Sequence, residues 1–182
     1  MGRPKALLPI GNELFVQRIR RVLIDAALSP VLVVLGHQAL AVAQAAGLPP
    51  EGVVFNPQYR TGMLSSIIAG IRTLEPTDAE ALVLALVDGP DVSTLVVRRL
   101  MERYWATRAP IVEPVHRGQH GHPILIARTL WPEIVSADPA VGAKEVIRRH
   151  RGEAAQVEWE DPSVLTDLDT PADFDAWLAS RR

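Results

Sequence analysis

The residues best able to do chemistry in this chain are carboxylates and a few cations, each set beside an apolar run. Asp88 ends Ala81 to Val87, a stretch of seven apolar residues. A carboxylate at the rim of a buried sheet is where a hard cation such as Mg²⁺ finds oxygen ligands. Asp167 and Asp169, in TDLDTPAD, stand at alternate positions. On an extended segment both project to one side, so with Asp88 they can bracket one ion. Arg3 and Lys5, in MGRPK, form a short cationic loop stiffened by Pro4 and able to hold a polyphosphate. In NPQYRTGMLSS, Asn56, Gly62, Ser65 and Ser66 bring an amide, a glycine and two hydroxyls to a helix N-terminus. Unpaired N–H groups there receive a base edge or a phosphate.

Each segment also has an ordinary structural explanation. Asp before Gly89-Pro90 is favoured by turn chemistry. Thr61, Ser65 and Ser66 are helix-capping types, as are Asp169 and Thr170 ahead of Pro171. Two basic residues near a terminus are usually solvated. His116, His120 and His122 cluster around a glycine-rich turn, but their spacing fits neither a helical pair nor a Cys/His zinc framework. No G-x-G-x-x-G follows a strand and no G-x-S-x-G is present, which leaves dinucleotide and serine-hydrolase chemistry without a fingerprint.

The elements that must position these residues alternate. Phe15, Val16, Ile19, Val22, Leu23 and Ala26 form a helical stripe within Glu13 to Leu28, which Pro30 ends. VLVVL, 31–35, reads as a strand buried on both faces, followed by a short helix from Gln38 to Ala46. VVF, 53–55, is a second strand, and Met63, Ile67, Ile71 and Leu74 mark the next helix. ALVLALV, 81–87, is a third strand, with Ser93 a good N-cap for the helix after it. Ile111 to Val115 and His122 to Ala127, joined by a turn-rich stretch, read as a hairpin. A helix at 141–150, a strand at 156–159 and a helix after Pro171 complete a three-layer α/β pattern with a mostly parallel sheet.

At 182 residues and 48% hydrophobic, the whole of 1–182 fits one domain with its own core. The 19 Lys plus Arg against 21 Asp plus Glu exclude a global footprint for nucleic acid or an anionic membrane. Absence of cysteine excludes disulfides, thiolate metal sites and a cysteine nucleophile. The apolar runs are strand-length, so no membrane span or export signal is read, and a cytoplasmic location is expected.

In order and separation these segments resemble the MobA-like nucleotidyltransferases, among them the molybdenum cofactor cytidylyltransferases, over nearly the whole chain. MGRPKALLP is similar to the second half of that family's signature loop, NPQYRTGMLSSIIAGI to its Asn-Pro, Gly-Met and Ser-Ser segment, and LVDGPDVS to its strand ending in a metal-binding Asp. GHPILI and DLDTPADF are similar to segments of the cofactor subgroup. The resemblance implies a Rossmann-like nucleotide-diphospho-sugar transferase fold. It also implies that Arg3 and Lys5 hold the triphosphate, that Asn56, Gly62, Ser65 and Ser66 lie near the nucleotide, and that Asp88 binds Mg²⁺ assisted by Asp167 or Asp169. Lys5 and Asp88 would be the catalytic pair. Gly121, His122 and Pro123 would face the acceptor, the phosphate of molybdopterin.

The implied reaction joins a nucleoside monophosphate to that phosphate and releases pyrophosphate, with CTP the favoured donor and a molybdoenzyme or its accessory protein a possible partner. Guanylyl or sugar-phosphate transfer, or a catalytically silent binding module, are the alternatives. Two departures stand out. The family pattern has a strand and a Leu-Ala-Ala-Gly-x-Ser-x-Arg loop ahead of the Met-Gly with which this sequence starts. A fold without that strand, with neighbouring edges left unpaired, is therefore expected. Gly89 also stands where the family commonly has Gln or Met.

Overall fold

The computed structural model describes residues 4–180. A small antiparallel ladder, β1 (Pro9–Ile10) and β2 (Glu13–Leu14), turns through Gly11 at a φ of 58°, and leads into α1 (Phe15–Asp25). Phe15, Val16, Ile19, Val22 and Leu23 of α1 are buried, the stripe expected from their spacing. Next come β3 (Val33–Leu35), α2 (Ala39–Ala45), β4 (Val53–Phe55), α3 (Met63–Leu74), β5 (Ala81–Leu84) and α4 (Thr94–Thr107). Ser93 caps α4, its hydroxyl accepting from Val96 N. The remainder is β6 (Ile111–His116), β7 (Gln119–His120), β8 (Ile124–Ala127), α5 (Trp131–Val135), α6 (Ala143–Arg149), β9 (Ala155–Glu158) and α7 (Pro171–Ala179).

In the larger sheet β8 lies between β5 and β6 and is antiparallel to both, so β5 and β6 run the same way. β9 joins β6 in parallel, and β7 folds back on β6 as a short hairpin. The expected antiparallel element is therefore the β6–β8 pair, with β7 between them in sequence. α1 and α4 share one core, with Ile19, Val22, Leu23 and Val97 buried. On the other side Ile67 and Ile71 of α3, Trp131 and Ile134 of α5 and Val146 of α6 pack with Ile111 and Ile126 of the sheet. The result is the three-layer, mostly parallel arrangement that the alternation implies.

β3 and β4 pair in parallel, Val33 opposite Val53 and Leu35 opposite Phe55, but among the described residues neither pairs with β5. The free edges of β3 and β5 face one another across an apolar cavity of about 450 Å³, walled by residues 31–35 and 81–88 and covered by α1 and α3. The cavity leaves each of these two strands with an open side among the described residues. It also explains why the strand over 81–87 shortens to Ala81–Leu84: residues 85–87 run past the end of β8 with the cavity on their other side. Likewise, among the described residues, Val31 and Leu32 find no ladder partner ahead of β3.

Candidate functional site

Asp88 follows the last apolar residues after β5, where the chain turns through Leu86 and Gly89. Gly89 is closely covered, since a Cβ there would sit 3.2 Å from Thr166 O. The approaching segment carries the other two carboxylates, and three bonds fasten the two stretches. Leu168 N donates to Asp88 O at 3.0 Å, and Asp91 accepts from Thr166 Oγ1 at 3.0 Å and from Trp177 Nε1 at 2.7 Å. Leu168 is buried against Phe15 and Trp177, which turns its neighbours Asp167 and Asp169 outward together. The oxygens of Asp88, Asp167 and Asp169 come within 4.8 Å of one another. Capping of α7 falls instead to Thr170, which makes a reciprocal box with Asp173.

Lys5 brings the compensating charge. Its Nζ donates to Asp169 Oδ1 at 2.7 Å and lies 3.5 Å from Asp88 Oδ2. Burial draws the Lys5 pKa down, but the Asp169 hydrogen bond and the charges of Asp88 and Asp169 outweigh it and leave it raised. Asp167 is raised above the usual carboxylate range by desolvation and by the charges of Asp88 and Asp169, against the opposing charges of Lys5 and His122. Mutual repulsion of this kind is what a bound cation relieves. An all-oxygen set with one carboxylate half-buried suits a hard divalent ion. The residues present therefore fit such an ion. Arg3 lies outside the described residues.

Gly121, His122 and Pro123 border the same region. A Cβ on Gly121 would collide with the backbone of Val164, and His122 N donates to Val164 O at 2.8 Å. Glycine is thus required where the hairpin meets the strand-to-helix segment that carries Asp167. His122 is desolvated, which lowers its pKa, while the charges of Asp88, Asp167 and Glu113 oppose that shift.

Asn56, Ser65 and Ser66 form a second, self-contained cluster. Asn56 is 2% exposed, and its Nδ2 donates to Ser65 Oγ at 2.9 Å and Ser66 Oγ at 3.0 Å, while its Oδ1 accepts from Gln58 N. The serines do not cap α3: the N-cap is Gly62, at a φ of 109° that favours glycine, with no side-chain cap. This amide and these hydroxyls hold the 56–62 loop at the start of α3. Ser66 of this cluster and Asp88 of the first both line the cavity, as do Ala6 and Met63. Sequence reasoning missed Asp91, whose place beside Pro90 reads as a simple turn, and Glu113, which is masked inside an apolar run.

Residues 1–155 match the MobA-like NTP transferase domain. The chain belongs to that family. Its relatives include nicotine blue oxidoreductase of Paenarthrobacter nicotinovorans, 29% identical over 93% of this chain and 86% of that one. A molybdenum cofactor guanylyltransferase of Cereibacter sphaeroides is 30% identical over 95% of this chain and 86% of its own. The molybdenum cofactor cytidylyltransferase of Escherichia coli is 26% identical over 67% of this chain and 59% of its own. Among solved structures, Rv0371c of Mycobacterium tuberculosis in complex with manganese superposes with a TM-score of 0.79 at 25% identity, covering 98% of this chain and 93% of that one. The fold is that of the nucleotide-diphospho-sugar transferases.

Proposed function

We propose that this chain is a divalent-metal-dependent nucleotidyltransferase, Mg²⁺ being the favoured ion, that transfers CMP from CTP to the phosphate of a molybdenum-pterin cofactor. The observation that carries the reading is the convergence of Asp88, Asp167 and Asp169 within 4.8 Å, with the ammonium of Lys5 against Asp88 and Asp169. Asp88, with Asp167 and Asp169, would hold the ion. When bound, the ion supplies positive charge against which the triphosphate is aligned and pyrophosphate departs. Lys5, already placed between two carboxylates, exchanges Asp169 for a phosphate oxygen and neutralises charge on the donor, with Arg3 as its neighbour in sequence. The Gly121–Pro123 segment orients the acceptor phosphate. An acceptor oxygen forms a bond to the α-phosphorus while the bond from that phosphorus to the bridging oxygen breaks, and no covalent enzyme intermediate is involved. Most of the rate then comes from alignment and charge neutralisation.

CMP is favoured because the Gly-Met-Leu-Ser-Ser and Gly-His-Pro segments follow the cytidylyl pattern, but the similarity to guanylyltransferases makes GTP the direct competitor. Pyrophosphate release with CTP, GTP and UTP, each with the pterin cofactor and Mg²⁺, tests the reading. CTP turnover should lead, and Asp88→Ala should lower it by at least about a hundredfold. Undiminished turnover in that variant would remove the carboxylate site from the mechanism. The alternative is a module that binds nucleotide without turning it over. Nucleotide binding by calorimetry with no pyrophosphate formed would establish it.

A further inference from the structure

Beside the Gly121–Pro123 segment, whose Gly121 N donates to Pro114 O, stands a buried carboxyl group that the proposed chemistry does not use. Glu113 stands in the middle of β6, and its side chain is only 3% exposed. Ile111 and Val115, on the same face of the strand, are fully buried apolar residues. An ionised carboxylate in such a place weakens the fold unless its lone pairs are met. The nearest basic groups are Arg151, whose Nε is 3.8 Å from Glu113 Oε1, and the His120 ring, whose Nδ1 is 2.8 Å from the same oxygen. Glu113 Oε1 and His120 Nδ1 are both buried, and apart from this close approach to each other neither has a hydrogen-bond partner. A buried polar pair held this close with so little return in stability calls for a functional explanation.

The geometry restricts the ring. Two lone pairs at that distance would repel, so His120 turns an N–H at Nδ1 toward the carboxylate. Nε2 is the ring nitrogen left for the exposed part of a side chain that is 28% accessible. His120 directly precedes Gly121-His122-Pro123, and the charges of Asp88, Asp167 and Glu113 all reach His122. A molecule lying over His122 would therefore lie close to both the carboxylate cluster and the Glu113–His120 pair.

We propose that Glu113 is a positioning residue that fixes the tautomer and orientation of His120, and that His120 Nε2 accepts a hydrogen bond from an N–H of the acceptor's heterocyclic ring. The ring end of the acceptor is selected here, while its phosphate end faces Asp88. This rests on the proposed transfer reaction only for its claim that an acceptor lies on this side of the cleft.

The test has two arms. In the first, nitrogen-15 NMR of the histidine rings reads the His120 tautomer with and without free pterin as the probe. The expected result is a proton on Nδ1 in the native chain, a pterin-dependent shift at His120 Nε2 but not at His116, and loss of the fixed tautomer in Glu113→Leu. A His120 proton on Nε2, or pterin binding that leaves His120 unmoved, overturns the proposal whether or not the chain turns over. In the second arm, His120→Asn and Glu113→Leu should raise the KM for the acceptor about tenfold or more with the KM for the nucleotide unchanged. His120→Gln, whose amide oxygen can stand near the Nε2 position, should retain most of the native value. Glu113→Leu leaves the buried His120 N–H without an acceptor, so some loss of melting temperature is expected, with the nucleotide KM still unchanged. A lowered melting temperature with both KM values shifted together would make Glu113 merely structural. Turnover with unaltered acceptor KM would defeat the inference and leave the transferase reading intact.

Discussion

β5 and β8 are neighbours of similar composition, ALVL against ILIA, but all four residues of β8 are buried and all four of β5 are only half-buried. β8 has a strand on each side, whereas β5 has β8 on one side and the cavity on the other. β3 repeats the β5 pattern, with Val33 and Val34 half-buried despite being β-branched. Apolar character makes a segment fit for a core, and its neighbours decide whether the core forms there. The β5–β8–β6–β9 part of the sheet is closed by strand pairing. The β3–β4 part is held to it by α1 and α3 across the cavity rather than by a hydrogen-bonded ladder.

The contrast can be broken most sharply by truncating side chains in each region. Leu125→Ala, in the middle of β8, should lower unfolding free energy in urea by about 2–5 kcal/mol. Val34→Ala, beside the cavity, should cost less than about 1.5 kcal/mol, because its methyl groups already lack neighbours on one side. Equal losses would mean the two regions are packed alike. Occupying the cavity should have a somewhat smaller effect of opposite sign. Fusing five apolar β-branched residues through a short glycine loop ahead of Met1 buries side chains worth roughly 1.5–3 kcal/mol each. Ordering the segment offsets about 1–2 kcal/mol per residue. A net gain of a few kcal/mol should raise Tm by roughly 5–10 °C, and calorimetry showing no change would deny that the facing edges accept a strand.

The smallest effect concerns His122, on the closed side. Its folded pKa is depressed, chiefly by desolvation, so the folded state takes up its proton later than the unfolded chain does. Stability should therefore fall as pH drops below the ordinary histidine value of about 6.5. His122→Gln should flatten that part of the stability profile. A native-like slope in the variant would assign the acid sensitivity to other groups.

Much of this was legible in the sequence because it rests on local patterns. The stripe of α1, the Ser93 cap and the antiparallel pairing of the 111–115 and 122–127 segments follow from spacing and turn chemistry. The alternation Asp167-Leu168-Asp169 foretold that both carboxylates share a side, and the burial of Leu168 is the reason they do. What the sequence concealed depends on tertiary neighbours. Ser65 and Ser66 look like caps, but the Asn56 amide reaches them across the loop. Lys5 looks like a solvated terminal lysine until Asp169, 164 positions away, is folded against it. Asp91 and Glu113 gave no signal, since their partners Trp177, Thr166, His120 and Arg151 are distant in sequence or lie across a turn.

The account turns on whether the three carboxylates and Lys5 form one metal and triphosphate site. Titrating Mn²⁺ into the chain in the presence of CTP, with the free ion followed by electron paramagnetic resonance, addresses this directly. The prediction is one nucleotide-dependent Mn²⁺ per chain, bound at least about tenfold more weakly in Asp88→Asn. Equal affinity in the native chain and the variant would contradict it.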